Sequence, residues 1–237
     1  MNDITRIRKK IARDVFDYQV LREVLSDYRK PRDKITRLLA EGDIIRIKKG
    51  LYCFSDTYRD EPISREYLAN LIYGPSYIST EYALSYYGMI PERVEIITSV
   101  TTCRSRIIDT PFGSFSYRML NEPRYIVSAG LERSNGSVFL IAVPEKALVD
   151  KVWTDKRFSG RSIREFNSYL FDDLRLDEEE IKQLDFKKLQ VIAESYKSAK
   201  INNLVRFLSR IYNYKHKQSS KTEAELSPRD MCRSVCI

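Results

Sequence analysis

The stretch KPRDKITRLLAEGDIIRIKKGLYCF, residues Lys30 to Phe54, changes its apolar period half-way along. Pro31 suits the first turn of a helix, because the N–H that proline lacks would be unpaired there in any case. Gly42 suits the position just beyond a helix end, where the backbone often turns left-handed. Between the two, one face of a helix is indicated by the spacing of Ile35, Leu38 and Leu39.

After Gly42 the apolar period is two residues. Ile45 and Ile47 alternate with Arg46 and Lys48, and Lys49-Gly50 follows as a turn signal before the apolar run LYCF. This pattern predicts a β-hairpin with a cationic tip.

Two further helices are predicted before Pro31. The first is indicated by the spacing of Ile4, Ile7 and Ile11, and the second by Tyr18, Leu21, Val24 and Leu25, with a break over residues 14–17. Three helices followed by a hairpin form the order of a winged helix-turn-helix domain, which we therefore predict for residues 1–60.

Positive charge is concentrated in the same part of the chain. Residues 1–54 hold 14 Lys and Arg against 8 Asp and Glu, a net charge of +6. The other 183 residues hold 27 against 25, a net charge of +2, which together give the +8 of the whole chain. Because the cations occur on both the helix and the hairpin, contact with the phosphates of DNA is favoured over an ordinary solvated helix face.

The candidate DNA-contacting residues are Lys30, Arg32, Lys34, Arg37, Arg46, Lys48 and Lys49. Lys30 stands at the helix entry, and Arg32, Lys34 and Arg37 lie off its apolar face, so all are expected to point outward as on a recognition helix. Arg32 and Arg37 are the expected base readers, because a guanidinium can donate two hydrogen bonds to guanine. The hairpin cations are expected to contact the DNA backbone. For the basic residues of the first helix, Arg6, Arg8, Lys9 and Lys10, DNA contact and an exposed helix face both stay open, and the exposed face is favoured.

The rest of the chain predicts an α+β module followed by helices. After a polar linker over 55–64, helices are predicted over 65–73 and 79–88, and an antiparallel sheet from strands over 94–102, 112–120, 124–132 and 137–144. Helices then follow over 144–153, 162–173, 177–184, 185–196 and 200–214. The predicted fold class is α+β, with an α+β and helical unit at 61–214 and a disordered tail at 215–237.

Several function classes lose support from composition. The one histidine, His216, lies near the predicted tail, and the four cysteines form no C-x-x-C pair, so no catalytic histidine, metal site or cofactor is expected. No apolar run is long enough to span a membrane, and residues 1–14 do not read as a signal peptide, so a cytoplasmic protein is expected. Six tyrosines between residues 67 and 87 are interpreted as packing rather than as a platform for stacked bases.

The chain resembles the AbiEi antitoxin family, the transcriptional-regulator antitoxins of abortive-infection toxin-antitoxin systems that act in phage defence. Three segments carry the resemblance in the same order: EGDIIRIKKGLYCF at 41–54, YISTEYALSYYGMIPE at 77–92 and PEKALVDKVW at 144–153. With the later DFKKLQVIAESY it covers roughly residues 15 to 210. The resemblance implies a DNA-binding repressor of its own operon and a carboxyl-terminal region that counters a nucleotidyltransferase-like toxin, with no catalytic residues.

Two other function classes stay open. One is a winged-helix regulator whose second domain senses a ligand or partner without any toxin. The other is a metal-dependent nuclease, for which Glu180, Lys182, Asp185 and Lys187 have suitable side chains, although residues two apart on a helix face different ways. A toxin-facing surface could use the basic residues of the last helices, namely Lys187, Lys188, Lys197, Lys200, Arg206 and Arg210.

Overall fold

A computed structural model of the chain describes residues 3–134 and 136–211. The first part of the chain, residues 3–54, contains three helices and three short strands. Its elements are α1 (Asp3–Lys10), β1 (Val15–Asp17), α2 (Tyr18–Val24), α3 (Pro31–Ala40), β2 (Ile44–Lys48) and β3 (Leu51–Phe54). The three predicted helices and the hairpin are therefore present. Strand β1, which lies in the predicted break over 14–17, was not predicted.

The three strands form an antiparallel sheet in the order β1-β3-β2. In the β1–β3 pair Val15 faces Cys53. The β2–β3 pair is irregular near its tip, because the register shifts between Arg46 and Lys48. Gly50 has φ of +86°, a left-handed conformation that glycine adopts without strain, so it suits the turn.

Strand β3 is buried on both faces, which explains why its residues LYCF are all apolar. Tyr52 and Phe54 pack with α1, α2 and α3 in a core confined to the first part of the chain. Leu51 and Cys53 point the other way and belong to a second, larger core, formed mainly by the described residues after 54, which are the second part of the protein; the smaller core is called the first core. The sheet therefore joins the two cores, with the helices on one side and the rest of the protein on the other.

The middle part builds a six-stranded sheet in the order β6-β7-β5-β4-β9-β8. Its elements are α4 (Arg65–Ile72), β4 (Ser76–Ile78), α5 (Thr80–Tyr86), β5 (Ile97–Thr101), β6 (Arg106–Thr110), β7 (Gly113–Met119), α6 (Glu122–Tyr125), β8 (Ala129–Ser134) and β9 (Ser137–Ala142). The predicted antiparallel sheet is found in part: β4–β5, β6–β7 and β8–β9 pair antiparallel, but β5 pairs with β7 and β4 with β9 in parallel, so the sheet is mixed. Strands β4 and β6 were not predicted.

The carboxyl-terminal part is a cluster of helices, as predicted. It contains α7 (Pro144–Thr154), α8 (Ile163–Asn167) continued by a π-helical segment (Ser168–Asp173), α9 (Glu178–Gln183), α10 (Phe186–Tyr196) and α11 (199–211). Apolar residues of these helices join the core beneath the six-stranded sheet. The predicted tail, 215–237, lies outside the described residues, and the division into units 1–60 and 61–214 remains a prediction. Among the described helices, none combines the length and apolar character that crossing a bilayer requires.

Candidate nucleic-acid interface

Helix α3 presents one apolar face and one polar face. Ile35 and Leu38 are buried against the first core. The opposite face is exposed and carries Arg32, Asp33, Thr36, Arg37 and Ala40. The helix therefore offers a surface of two turns with an arginine in each turn.

A concavity lies where α2 meets the entry of α3. It has a volume of about 650 Å³ and is lined by Tyr18, Arg22, Lys30, Pro31, Arg32 and Asp33. The Lys30 side chain is three-quarters exposed, and its ammonium lies 3.8 Å from the carboxylate of Asp33. At this distance the ion pair is weak, so a competing anion can replace the carboxylate. Lys30 and Arg32 are thus joined by a third cation, Arg22, which sequence reasoning missed because α2 carries no obvious basic face.

Arg37 is exposed but has a partner. Its Nε lies 2.7 Å from the carboxylate of Glu41 one turn later, and 68% of the arginine side chain is exposed. The hydrogen bond that Arg37 donates to the Glu41 carboxylate, together with the negative charge of Glu41, raises the pKa of Arg37 above its already high value. The guanidinium is therefore always charged and accessible, while Glu41 competes for its donors.

The prediction that Lys34 points outward is wrong. Its ammonium lies 2.7 Å from the Asp3 carboxylate on α1, and only 9% of the lysine side chain is exposed. The same ammonium lies 5.7 Å from the centre of the Tyr28 ring. Lys34 precedes Leu38 by one helical turn and thus shares its inward-leaning flank, so the lysine ties α3 to α1 instead of facing a ligand.

The three hairpin cations are in different environments. Arg46 is exposed on the edge strand β2, with its guanidinium 6.0 Å from the Tyr52 ring centre. Lys49 is exposed at the turn. Lys48 instead donates a hydrogen bond to the carbonyl of Ile72, the last residue of α4, and partial burial lowers the pKa of Lys48. Lys48 was expected to contact the DNA backbone, but its ammonium instead connects the hairpin to the second part of the protein.

Two basic residues of α1, Arg6 and Arg8, form hydrogen bonds or ion pairs within the first part of the chain. Arg8 donates to Ile11 O at 2.6 Å and pairs with Asp14 at 2.8 Å, and only 16% of its side chain is exposed. Arg6 donates to the hydroxyl of Tyr28 at 2.8 Å. For Arg8, the expectation of an exposed helix face is therefore wrong.

Several candidate residues of the carboxyl-terminal helices form hydrogen bonds or ion pairs within the protein. The Asp185 side chain caps α10 by accepting hydrogen bonds from the amides of Lys187 and Lys188 at 2.9 and 3.1 Å. Lys182 pairs with Glu179 at 2.6 Å. Lys200 donates to Asp155 O at 2.7 Å. Residues of the nuclease alternative thus have structural roles in helix capping and surface pairing.

Sequence reasoning missed a polar cluster in the centre of the second core. Lys146 and Asp150, one turn apart on α7, lie 2.6 Å from each other with no exposed side-chain surface. Asp150 also accepts hydrogen bonds from the hydroxyls of Ser79 at 2.7 Å, Tyr77 at 3.2 Å and Tyr196. Burial lowers the pKa of Lys146, and the charge of Asp150 opposes that shift.

This cluster joins two of the three segments that carry the family resemblance. Ser79 opens the helix of the segment at 77–92, and Asp150 belongs to the segment at 144–153. Lys151 on the second segment also pairs with Glu81 on the first. One of the six tyrosines in question, Tyr77, is buried here, and Tyr82 donates to Glu66, as the packing interpretation expects. The sequence signal for this cluster is the pair of charged residues, Lys146 and Asp150, within the apolar pattern of α7.

No family model and no curated protein matches the chain. Among solved structures, the crystal structure of the protein RV2827C from Mycobacterium tuberculosis is similar, with a TM-score of 0.53 at 17% identity. The similarity covers 88% of this chain and 75% of that chain. At this identity the likeness concerns the fold alone: a mixed α+β arrangement with helices at its carboxyl end.

Proposed function

We propose that the first part of the chain, residues 3–54, is a winged helix-turn-helix domain that binds double-stranded DNA in the promoter of its own operon. The order α1-β1-α2-α3-β2-β3, with the sheet order β1-β3-β2, supports this proposal because winged-helix domains share it. In such a domain α3 is the recognition helix, which enters the major groove. The corresponding wing is the turn at Lys49 and Gly50.

The exposed face of α3 is the observation on which the proposal depends. Arg32 and Arg37 are both exposed and stand five residues apart, about 1.4 turns and a rise of about 7.5 Å, which spans roughly two base-pair steps. Arg22 and Lys30 flank the helix entry, where phosphates would lie. Since the second part of the protein packs on the far side of the three-stranded sheet, it leaves this face uncovered.

The proposed contact set differs from the sequence prediction. Arg32 and Arg37 read bases, and Arg22, Lys30, Arg46 and Lys49 contact phosphates. Lys34 and Lys48 are removed from the set because each is at least partly buried and bound to a partner within the protein, whereas Lys30 and Arg37 stay largely exposed. In this proposal the protein acts by binding DNA and is not an enzyme.

We further propose that the protein is an antitoxin of the abortive-infection type, which represses its operon and counters a nucleotidyltransferase-like toxin. The support is the resemblance of three segments to the AbiEi family, two of which pack together around Asp150. This contact gives the second part a shared core on which a toxin-facing surface could be built.

A second candidate function is a transcriptional regulator whose second part senses a ligand or partner. The contact of Lys48 with Ile72, together with the burial of Leu51 and Cys53 in the large core, favours it. These contacts would transmit a change in the second part to the DNA-binding part. They serve the antitoxin proposal equally, because toxin binding would act through the same route.

Two experiments test these proposals. Fluorescence anisotropy with the DNA fragment upstream of the reading frame should show tighter binding than with a shuffled fragment of equal length. Equal affinity for both fragments would contradict a specific repressor. Co-expression with the adjacent reading frame should restore growth if the protein is an antitoxin, and continued growth arrest with the full chain would contradict that role alone.

A further inference from the structure

A groove runs along the junction between the first part of the protein and the second. It consists of two adjoining concavities of about 610 and 460 Å³. They share the lining residues Ala12, Arg13, Val15 and Tyr67. The groove is therefore elongated, extending from the hairpin turn at Lys49 to the β8–β9 turn at Ser137.

The floor of the groove is apolar. Val15 and Leu51 from the three-stranded sheet meet Tyr67 from α4 there. Val20 and Leu71 add apolar residues that are 38% and 37% exposed. An apolar ligand side chain placed on this floor would remove these surfaces from water.

The rim of the first concavity is cationic. Arg13, Lys10 and Lys49 line it, and the one acidic residue there, Asp17, accepts a hydrogen bond from the amide of Val20 as the cap of α2. Lys10 pairs only loosely with Asp27, at 3.4 Å. For the side chains of Arg13 and Lys49, no hydrogen bond or ion pair occurs among residues 3–134 and 136–211. The rim thus carries positive charge that its surroundings leave uncompensated.

The open edge of β1 borders the same groove. Phe54 N donates to Asp14 O and Tyr18 N donates to Gly50 O, so the alternation of an antiparallel ladder turns the N–H and C=O of Val15 away from β3. Strand β1 is the edge of its sheet. An extended chain in the groove could pair with these backbone groups and add a fourth strand.

We propose that this groove binds an extended segment of a partner protein in which acidic and apolar residues alternate. Side chains of a strand point alternately to opposite sides, so the apolar ones would lie on Val15 and Leu71 while the acidic ones face Arg13 and Lys49. Binding of the acidic residues is favoured at the concavity lined by Arg13 and Lys49 and not at the far concavity, because Glu61 lines the latter. The groove lies apart from the exposed face of α3 but shares Lys49 with the proposed phosphate contacts.

The test is fluorescence anisotropy with the full-length protein and a labelled peptide, acetyl-(Glu-Val)4-amide. We expect saturable binding that weakens by about tenfold or more in the variant Arg13→Glu/Lys49→Glu, because charge reversal replaces attraction with repulsion. The matched control is Lys187→Glu/Lys188→Glu on the exposed face of α10, which should bind the peptide as the natural chain does. Circular dichroism verifies that both variants fold.

Altered peptides test the apolar floor and the strand edge. The peptide (Glu-Ser)4 should bind much more weakly than (Glu-Val)4, and N-methylation along one backbone edge should abolish binding while methylation along the other edge is tolerated. Equal binding of (Glu-Ser)4, or of both methylated isomers, would overturn the proposal. The absence of saturable peptide binding by the natural chain would also overturn it, whereas a loss of DNA affinity in Arg13→Glu/Lys49→Glu is expected from the phosphate contact of Lys49 and does not bear on the groove.

Discussion

The ammonium nitrogen of Lys146 lies 2.6 Å from a carboxylate oxygen of Asp150, and neither side chain has exposed surface. Three hydroxyls, from Ser79, Tyr77 and Tyr196, donate to the same carboxylate. The arrangement connects strand β4, helix α7 and helix α10 through one side chain. Asp150 is therefore a structural centre of the second part of the protein.

Removal of Asp150 should strongly destabilise the fold. We expect Asp150→Ala to lower the free energy of unfolding by about 3 to 5 kcal/mol, because it leaves the ammonium of Lys146 buried without a counter-charge. The double variant Lys146→Met/Asp150→Leu should lose less, since neither buried charge remains. Urea unfolding followed by the fluorescence of Trp153, which lies 5.7 Å from Tyr196 between ring centres, measures both.

Lys182→Met is the control for this prediction. It removes an ammonium that pairs with Glu179 on the surface, and we expect a cost below about 1 kcal/mol. A cost for Asp150→Ala no greater than that of Lys182→Met would show that the buried pair does not stabilise the fold.

Lys48 and Lys49 should differ although they are neighbours. Lys48→Met removes the hydrogen bond to the carbonyl of Ile72 at the end of α4, so it should lower stability by about 1 to 2 kcal/mol. The salt dependence of DNA binding should stay unchanged. Lys49→Met should leave stability unchanged and reduce the salt slope by about one, as expected for a lost phosphate contact.

These two variants serve as controls for each other. Urea unfolding gives the first quantity, and anisotropy titrations at several salt concentrations give the second. A reduced slope in Lys48→Met without any loss of stability would return Lys48 to the DNA-contacting set.

Glu41 should restrain DNA binding. Its carboxylate holds Arg37 at 2.7 Å and would lie near the phosphates. We expect Glu41→Gln to strengthen binding by about twofold to fivefold, the range of an exposed ion pair, because it frees the guanidinium and removes a repulsive charge. Glu92→Gln, which breaks the exposed pair with Arg175, is the matched control. Unchanged or weaker binding by Glu41→Gln would contradict a role of Arg37 at the DNA.

The sequence predicted local elements well and non-local pairings poorly. Helix α3 begins at Pro31 as expected, because both the proline and the apolar spacing act within a few residues. Strands β1 and β4 have three residues each, too few to show a period, and they exist because distant strands pair with them. The parallel pairs of the larger sheet depend on chain segments that no local pattern identifies.

The candidate site was predicted in part for the same reason. A helical pattern places Lys34 off the centre of the apolar face, but its partner Asp3 lies 31 positions earlier in the chain. Lys48 likewise meets Ile72, which belongs to another helix. The exposed positions of Arg32, Arg37, Arg46 and Lys49 follow from local periodicity and were predicted.

The central claim is that α3 reads DNA through Arg32 and Arg37, and its most direct test is the affinity of Arg32→Ala/Arg37→Ala for the upstream fragment and for its shuffled counterpart. Each arginine should contribute about 1 to 3 kcal/mol of discrimination, so the double variant should lose most of its preference for the upstream fragment. Lys187→Ala/Lys188→Ala on α10 should retain that preference. If the folded Arg32→Ala/Arg37→Ala variant bound the upstream fragment with unchanged affinity and preference, α3 would not be the recognition helix.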